Sequence, residues 1–298
     1  MSEKLRDCTT AIIIVNYNSV EDIKRLYDDY IKNIGEDFIV VDNNSSPDLK
    51  GWCDTVDVKY IDTGANMGYA GGNNRGINNK IDSYDYFWIL NPDTNIIDLD
   101  VLDSLITTMG KYSNLGIVVP TIVDQNREQY NLPSRFEDIL RKVNILPKLP
   151  ENNSDLIYTD HVPGSAILLR KDMIREIGLL DERFFLYVEE TEYCYRARQH
   201  GYHVAIHRRS QIMHQSPESE SNYEESYRVY YQSRNRFLLA RTRFSLPKRL
   251  LYYCALVGFY GYEAVDIAKN DTSLFIPMIL GIIDGIVGNY GRRRYLTD

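Results

Sequence analysis

Four short runs, TTAIIIVNYN from Thr9, DFIVVDNNS from Asp37, YDYFWILNPDT from Tyr84 and LGIVVPTIV from Leu115, are almost continuous in apolar and β-branched residues. A strand reads this way when both of its faces are buried, the situation in a parallel sheet covered by helices on each side. Helix-length polar segments separate the runs, at about 20–33, 73–80 and 99–112. Strand and helix in alternation predict an α/β domain around a mostly parallel central sheet.

The second half is less regular. Residues 121–160 contain Pro133, Pro147 and Pro150 and read as a long excursion. HVPGSAILLRK then predicts a strand, with a short helix ending at Gly178. A helix over about Glu189–His200 is closed by Gly201, YHVAIHRR returns as a strand, and a Tyr- and Arg-rich helix covers about 223–244. The predicted domains are 1–244 and a helical extension over 245–298.

Composition narrows the function. At 298 residues, 44% hydrophobic and 26% charged, the chain is an ordinary globular one. Cys8, Cys53, Cys194 and Cys254 form no CxxC pair and MSEKLRDCTT has no apolar signal core, so a reducing, cytoplasmic setting is expected. Residues 228–298 hold eleven Lys and Arg against five Asp and Glu, whereas residues 1–227 hold 23 against 37. An acidic body of this kind repels nucleic acid.

The basic tail carries LLYYCALVGFYGY from Leu250 and SLFIPMILGIIDGIVG from Ser273. Both fall short of the roughly 18 apolar residues of a membrane span. In the second, Ile276, Ile279, Leu280, Ile283, Ile286 and Val287 recur at helical spacing. One apolar face results. It fits an anionic membrane surface, with Arg292, Arg293 and Arg294 at the headgroups, or equally a helix packed on the body of the chain or in an oligomer interface such as a homodimer's.

Three of the runs end in polar clusters: Asn16, Tyr17 and Asn18; Asp42, Asn43 and Asn44; Asn91, Pro92 and Asp93. Ligands of open α/β sheets bind at the carboxyl ends of strands, although the same residue types also end strands as turn formers. The segment NMGYAGGNNRG, residues 66–76, places four glycines before a helical pattern, where backbone can approach a phosphate. It matches neither a Walker loop nor a clean GxGxxG, so neither ATP hydrolysis nor NAD binding follows. Asp93 is a candidate ligand for a hard divalent cation, and His214, beyond the strand YHVAIHRR, is either structural or a second ligand that favours manganese over magnesium.

FFLYVEETEYCYRAR, residues 184–198, runs from aromatic residues straight into Glu189, Glu190 and Glu192. Carboxylates in a first helical turn suit the helix dipole; a carboxylate against apolar surface has its pKa raised toward that of a working base. Glu192 and Arg196 are spaced as an i,i+4 surface pair.

In order, VNYN, VVDNNSS, NMGYAGGNNRG, ILNPDT, PGSAILLR and FFLYVEETEYCYRAR with a later His resemble the inverting glycosyltransferases of family 2, in the branch holding rhamnosyl- and galactofuranosyltransferases of bacterial surface polysaccharides. The resemblance covers about residues 9–240. It implies a GT-A fold, a nucleoside-diphosphate sugar donor of the dTDP or UDP kind, and a divalent cation, Mn2+ or Mg2+; the basic, amphipathic tail adds the expectation of a lipid-linked glycan acceptor at the inner membrane face. The resemblance implies Asp42 at the pyrimidine ring and Asn66 at the nucleotide. Asp93 of NPD stands where a DxD motif holds the metal, Asn91 replaces the first Asp, and His214 is the downstream ligand. Glu190 falls at the general base, with Glu189 beside it as the competing assignment. Asn16, Asn18, Asn43, Gly68, Gly72, Gly164 and Ser165 are further expected donor contacts, and Arg234 of YYQSRNRF an expected helper at the departing diphosphate.

A nucleotidyltransferase is disfavoured because VNYNSVED follows the first strand in place of a glycine-rich basic segment. A non-catalytic sugar binder draws support only from Asn91. A glycosidase fails because adjacent carboxylates diverge on a helix and cannot flank one bond.

Overall fold

The computed structural model describes residues 8–44, 48–124, 135–142, 144–214 and 222–293. Pro133 and Arg294 lie outside them.

In chain order the elements are β1 (Thr10–Asn16), α1 (Val20–Asp29), β2 (Asp37–Asp42), α2 (Asp48–Thr55), β3 (Lys59–Asp62), α3 (Gly68–Asn79), β4 (Tyr86–Leu90), β5 (Thr94–Ile96), α4 (Val101–Lys111), β6 (Leu115–Val123), α5 (Arg135–Lys142), β7 (Leu156–Tyr158), β8 (Ala166–Arg170), α6 (Lys171–Ile177), α7 (Glu189–Gln199), β9 (His203–His214), α8 (Asn222–Arg243), α9 (Leu246–Asn270) and α10 (Phe275–Val287). Contacts group them into two compact units. One comprises Met1–Pro133, Leu149–Leu180 and Tyr193–Ser216; the other comprises Ser134–Lys148, Asp181–Glu192 and Pro217–Asp298. The division does not fall at residue 244: α8 belongs with the C-terminal helices, because it packs along α10.

The first unit holds the whole sheet, ordered β3-β2-β1-β4-β8-β6-β9-β5 with β7 added beside β9. From β3 to β4 it is parallel; β8 enters antiparallel to both β4 and β6, and β5 and β7 run antiparallel to β9. The mostly parallel sheet expected from the sequence is therefore a mixed one, parallel where the strand–helix alternation is regular. The apolar runs are buried throughout: β4 has every residue inside, and so does β6. Alternate residues of β1 feed opposite cores. Ile12 and Ile14 pack with Ile23 and Leu26 of α1, while Ala11 and Ile13 pack with Ala70 and Ile77 of α3.

The α3 contact explains much of the glycine-rich segment. A Cβ on Gly72 would stand 2.7 Å from Val15 Cγ1, and one on Gly76 would stand 2.6 Å from Ile13 Cγ2. These glycines let a helix lie directly on the sheet. The helix begins earlier than its periodicity suggests, at Gly68, whose φ of +71° suits glycine.

The second unit is helical. Gly281 and Gly285 bring α10 onto α8, where a Cβ would meet Tyr230 O at 2.4 Å and Arg234 O at 2.3 Å respectively. Asp284, between them, is buried and accepts from Tyr230 Oη at 2.6 Å and Asn289 Nδ2 at 2.9 Å, with the Arg293 guanidinium against it. A buried carboxylate is tolerated there because each oxygen is matched. Pro247 starts α9 in its first turn, where no intrahelical donor is lost. No helix among the described residues is long and apolar enough to cross a membrane.

Candidate active site

The in-register pairing of β1 with β2 sets Asn16 beside Asp42 at the carboxyl ends of both strands. Asn16 Nδ2 donates to Asp42 Oδ1 at 2.8 Å, and Tyr60 Oη, on β3, donates to Oδ2 at 3.0 Å. The carboxylate is 3% exposed, held by both donors at the carboxyl edge of the sheet. Asn18 follows with φ 60° and Asn44 with φ 63°, so both act as left-handed turn residues at their strand ends. Tyr60 was not expected from the sequence. Its strand has four residues, too few to show a period; the one available signal was a Tyr beside an acid-tipped strand.

Asn43 is a brace. Its Nδ2 donates to Asn66 Oδ1 at 3.2 Å and Gly68 O at 3.1 Å, and its Oδ1 accepts from Met67 N at 2.9 Å. Asn66 Oδ1 also accepts from Gly68 N at 2.9 Å. Together they fix the turn that opens α3. Gly72 does not face a nucleotide; its hydrogen faces Val15, because the helix requires that clearance. Gly164 O accepts from Tyr69 Oη, which ties the approach to β8 to α3. Ser165 O accepts from Asn91 N at 2.8 Å and Thr94 Oγ1 at 3.4 Å, and so holds the turn that contains Asp93.

Asp93 and His214 are brought together by sheet register. His214, the last residue of β9, pairs with Thr94, and its Nε2 lies 3.3 Å from Asp93 Oδ2. That nitrogen is buried and makes no hydrogen bond. Two donors at about 2.1 Å from one octahedral cation stand about 3 Å apart, so the pair fits a shared divalent ion. No third His, Cys, Asp or Glu joins them among the described residues, which leaves most of a shell for diphosphate oxygens and water.

The acidic segment belongs to the second unit. Phe185, Tyr187 and Val188 have φ of 65°, 64° and 72°, a left-handed conformation that is costly for bulky and β-branched side chains. Asn235 on α8 holds it, donating from Nδ2 to Phe184 O at 2.9 Å, Leu186 O at 2.8 Å and Tyr187 O at 2.6 Å. Arg234 supports the same loop: its Nη2 donates to Phe184 O at 2.7 Å, its Nε to Asn235 Oδ1 at 2.8 Å and its Nη1 to Gly291 O. Lying over Tyr231 and only 1% exposed, Arg234 is a buried clamp and not a diphosphate contact. Its charge suggested the catalytic role; the neighbouring Asn235, neutral and on a helix face with Tyr231 and Leu238, carried no comparable signal.

Phe184 packs with Leu238 and Leu239, and Phe185 with Tyr230 and Tyr231, so the aromatic run is core to α8. At the start of α7, Glu189 is buried and its Oε2 has no hydrogen-bond partner. Burial and the adjacent Glu190 charge push its carboxyl well above the usual range, against the pull of Arg234. Glu190 is partly exposed. Burial pushes its carboxyl up to about 7, opposed by backbone N–H bonds, the Thr191 hydroxyl at 3.4 Å and the Arg236 charge. Glu192 is not at the surface: it is 0% exposed and lies 2.6 Å from Arg243 Nε. Tyr193, Cys194 and Ala197 form the buried face of the helix, which stops at Gly201 with φ +86°.

Comparison with known proteins identifies the family and the fold. Residues 11–178 match the model of the family described as glycosyl transferase family 2. The low-salt glycan biosynthesis hexosyltransferase Agl10 of Haloferax volcanii is 36% identical over 287 residues, 95% of this chain and 92% of that protein. The dTDP-rhamnosyl transferase RfbF of Shigella flexneri is 25% identical over 268 residues, covering 86% of this chain and 88% of the relative. An N-acetylglucosaminyl-diphospho-decaprenol L-rhamnosyltransferase of Mycobacterium tuberculosis is 23% identical over 54% of this chain and 60% of its own length. Among solved structures, the mannosyltransferase PcManGT of Pyrobaculum calidifontis, in complex with GDP-Man and Mn2+, superposes with a TM-score of 0.60 at 12% identity, covering 94% of this chain and 87% of the other. The fold is thus GT-A with a helical C-terminal region, and the chain is a glycosyltransferase that belongs to glycosyl transferase family 2.

Proposed function

We propose that this enzyme transfers L-rhamnose from dTDP-rhamnose, with inversion, to a hydroxyl of a lipid-linked glycan, and that Glu190 is its general base. The observation that carries the mechanism is the contrast within the acidic pair. Glu189 is sealed in the protein and Glu190 is partly exposed with its carboxyl near 7, where a carboxylate accepts a proton well while about half of the molecules still carry it ionised at neutral pH. Glu190 takes the acceptor's proton as the acceptor oxygen bonds to the anomeric carbon. The bond to the diphosphate oxygen breaks with its electron pair on the nucleotide, and attack from the opposite side inverts the centre. Asp42 receives the pyrimidine N–H, and the Asn43–Asn66 brace keeps the α3 amides fixed toward the phosphates. Asp93 and His214 would hold Mn2+ or Mg2+, which supplies positive charge to the departing diphosphate.

Two relatives with rhamnosyl names support the donor; Agl10, named only as a hexosyltransferase, keeps UDP-galactofuranose, UDP-galactose and UDP-N-acetylglucosamine in the test. The lipid-linked acceptor is supported by the decaprenol-linked substrate in the M. tuberculosis relative's name. A bilayer contact at the inner face of the cell membrane is supported by α10, where Ile276, Ile279, Ile283, Ile286 and Val287 are each 41–70% exposed, with Arg241 and Arg292 near its end. Basic residues flanking an apolar stripe complement an anionic lipid surface. Melting curves with each nucleotide-sugar, with and without Mn2+, test the donor: dTDP-rhamnose with Mn2+ raises Tm most. A larger rise with any UDP-sugar replaces the donor assignment.

A further inference from the structure

The second unit contains a cavity of about 460 Å³ between α8, α9 and the chain entering α10. Its volume lies within the roughly 300–1,000 Å³ typical of small-molecule sites. Its floor is apolar, with Ile267, Leu274 and Met278, and Phe259 and Tyr260 form an aromatic side. The rim is polar: Gln232 and Asn270 supply amides, Arg228 and Arg236 positive charge, and Glu225, Glu263, Asp266 and Asp271 negative charge.

Four carboxylates against two guanidinium groups disfavour an anion, and among the described residues no three acidic or metal-binding side chains cluster there for a cation. An apolar floor with an aromatic side and a ring of planar polar groups suits a neutral ligand having one C–H face and many hydroxyls. We propose that this cavity is a carbohydrate-binding subsite that receives a sugar of the acceptor glycan, with its C–H face on the apolar floor beside the aromatic side and the carboxylates and amides on the hydroxyls. The assignment of the sugar to the acceptor rests on the transferase reading above.

Arg236 links the cavity to the proposed base. Its guanidinium lies 4.8 Å over the Phe259 ring and 3.4 Å from Tyr260 Oη, and its charge also acts on Glu190.

Saturation-transfer NMR on the full chain tests the subsite, with the methyl glycosides of N-acetylglucosamine, rhamnose, mannose and galactose as probes. The expected result is saturation of at least one glycoside, lost in Phe259→Ala and weakened about tenfold in Asp266→Asn. Asp266 is exposed, so its amide variant keeps the fold. Saturation of none of the four, or equal binding by both variants and the native chain, overturns the proposal. A parallel melting curve with dTDP and Mn2+ reads the other unit. Glycoside binding without any response to dTDP would support the subsite while removing the dTDP-sugar donor proposed above.

Discussion

The strand ends around Asp42 and the loop before Glu189 solve the same problem, fixing a carboxylate, by opposite means. Asp42 is held by the regular register of β1 and β2, with Asn16 and Tyr60 donating to it and no strained residue within its strand. Glu189 and Glu190 follow three left-handed non-glycine residues, and the loop persists because Asn235 and Arg234 bind its carbonyls. A carboxylate on a strand end inherits its position from the sheet. One at the end of a strained loop depends on a few side chains, and strain of about 1–3 kcal/mol per residue must be offset by them.

Several substitutions break or sharpen this contrast. Asp93→Ala removes a ligand whose cation supplies several kcal/mol of charge stabilisation, so transfer falls by roughly 10²-fold or more while the fold is unchanged. Steady-state rates across a Mn2+ titration check this, and native-like rates in the variant would remove Asp93 from the metal site. Asn235→Ala leaves three loop carbonyls without their shared donor and costs about 2–4 kcal/mol in urea unfolding. It also lowers kcat, with little effect on dTDP binding, because the damage is confined to the loop. Equal loss of nucleotide affinity would show that the two regions are not separable in this way. Gly72→Ala crowds Val15 and costs about 1–3 kcal/mol of stability. Nucleotide affinity per folded molecule is expected to stay native; a drop would restore Gly72 as a donor contact. Smallest in its effect on the enzyme, Ile279→Lys with Ile283→Lys leaves folding near native, since both residues are exposed. It abolishes co-sedimentation with phosphatidylglycerol vesicles, and a native chain that sediments equally with neutral vesicles, or runs as a dimer that the variant dissolves, would contradict the anionic-membrane contact.

The Asp42 side was legible in the sequence because its signals are local. Buried strands read as apolar runs, and their polar ends appear directly after them. Where the sequence misled, the cause was contact partners far along the chain. The glycine at 72 reads as a phosphate approach until Val15 is found beneath it, and Arg234 reads as a diphosphate ligand until its guanidinium is seen bonded to Phe184 and Gly291 carbonyls. The mixed sheet was hidden because an apolar run shows a strand but not its direction, as at β8, and because β5 and β7, of three residues each, are too short for any period to show. The strain at Phe185, Tyr187 and Val188 had no sequence signal at all, since none of these is a residue that favours a left-handed backbone.

The raised carboxyl of Glu190 has a sign that stability measurements also read. Its folded pKa of about 7 exceeds the unfolded value, so the folded chain binds the extra proton between about 4.5 and 7 and loses that stabilisation as pH rises through 7. Glu190→Gln is therefore expected to melt at a higher temperature than the native enzyme at pH 8 and close to it at pH 4.

Transfer by the same variant is the most direct measurement of all. With dTDP-rhamnose, Mn2+ and a lipid-linked N-acetylglucosaminyl acceptor, Glu190→Gln is predicted to lose about 10²–10⁴-fold in kcat, while donor binding stays native and Glu189→Gln loses less. Native kcat retained in Glu190→Gln, at any pH from 6 to 8, would contradict its role as the base.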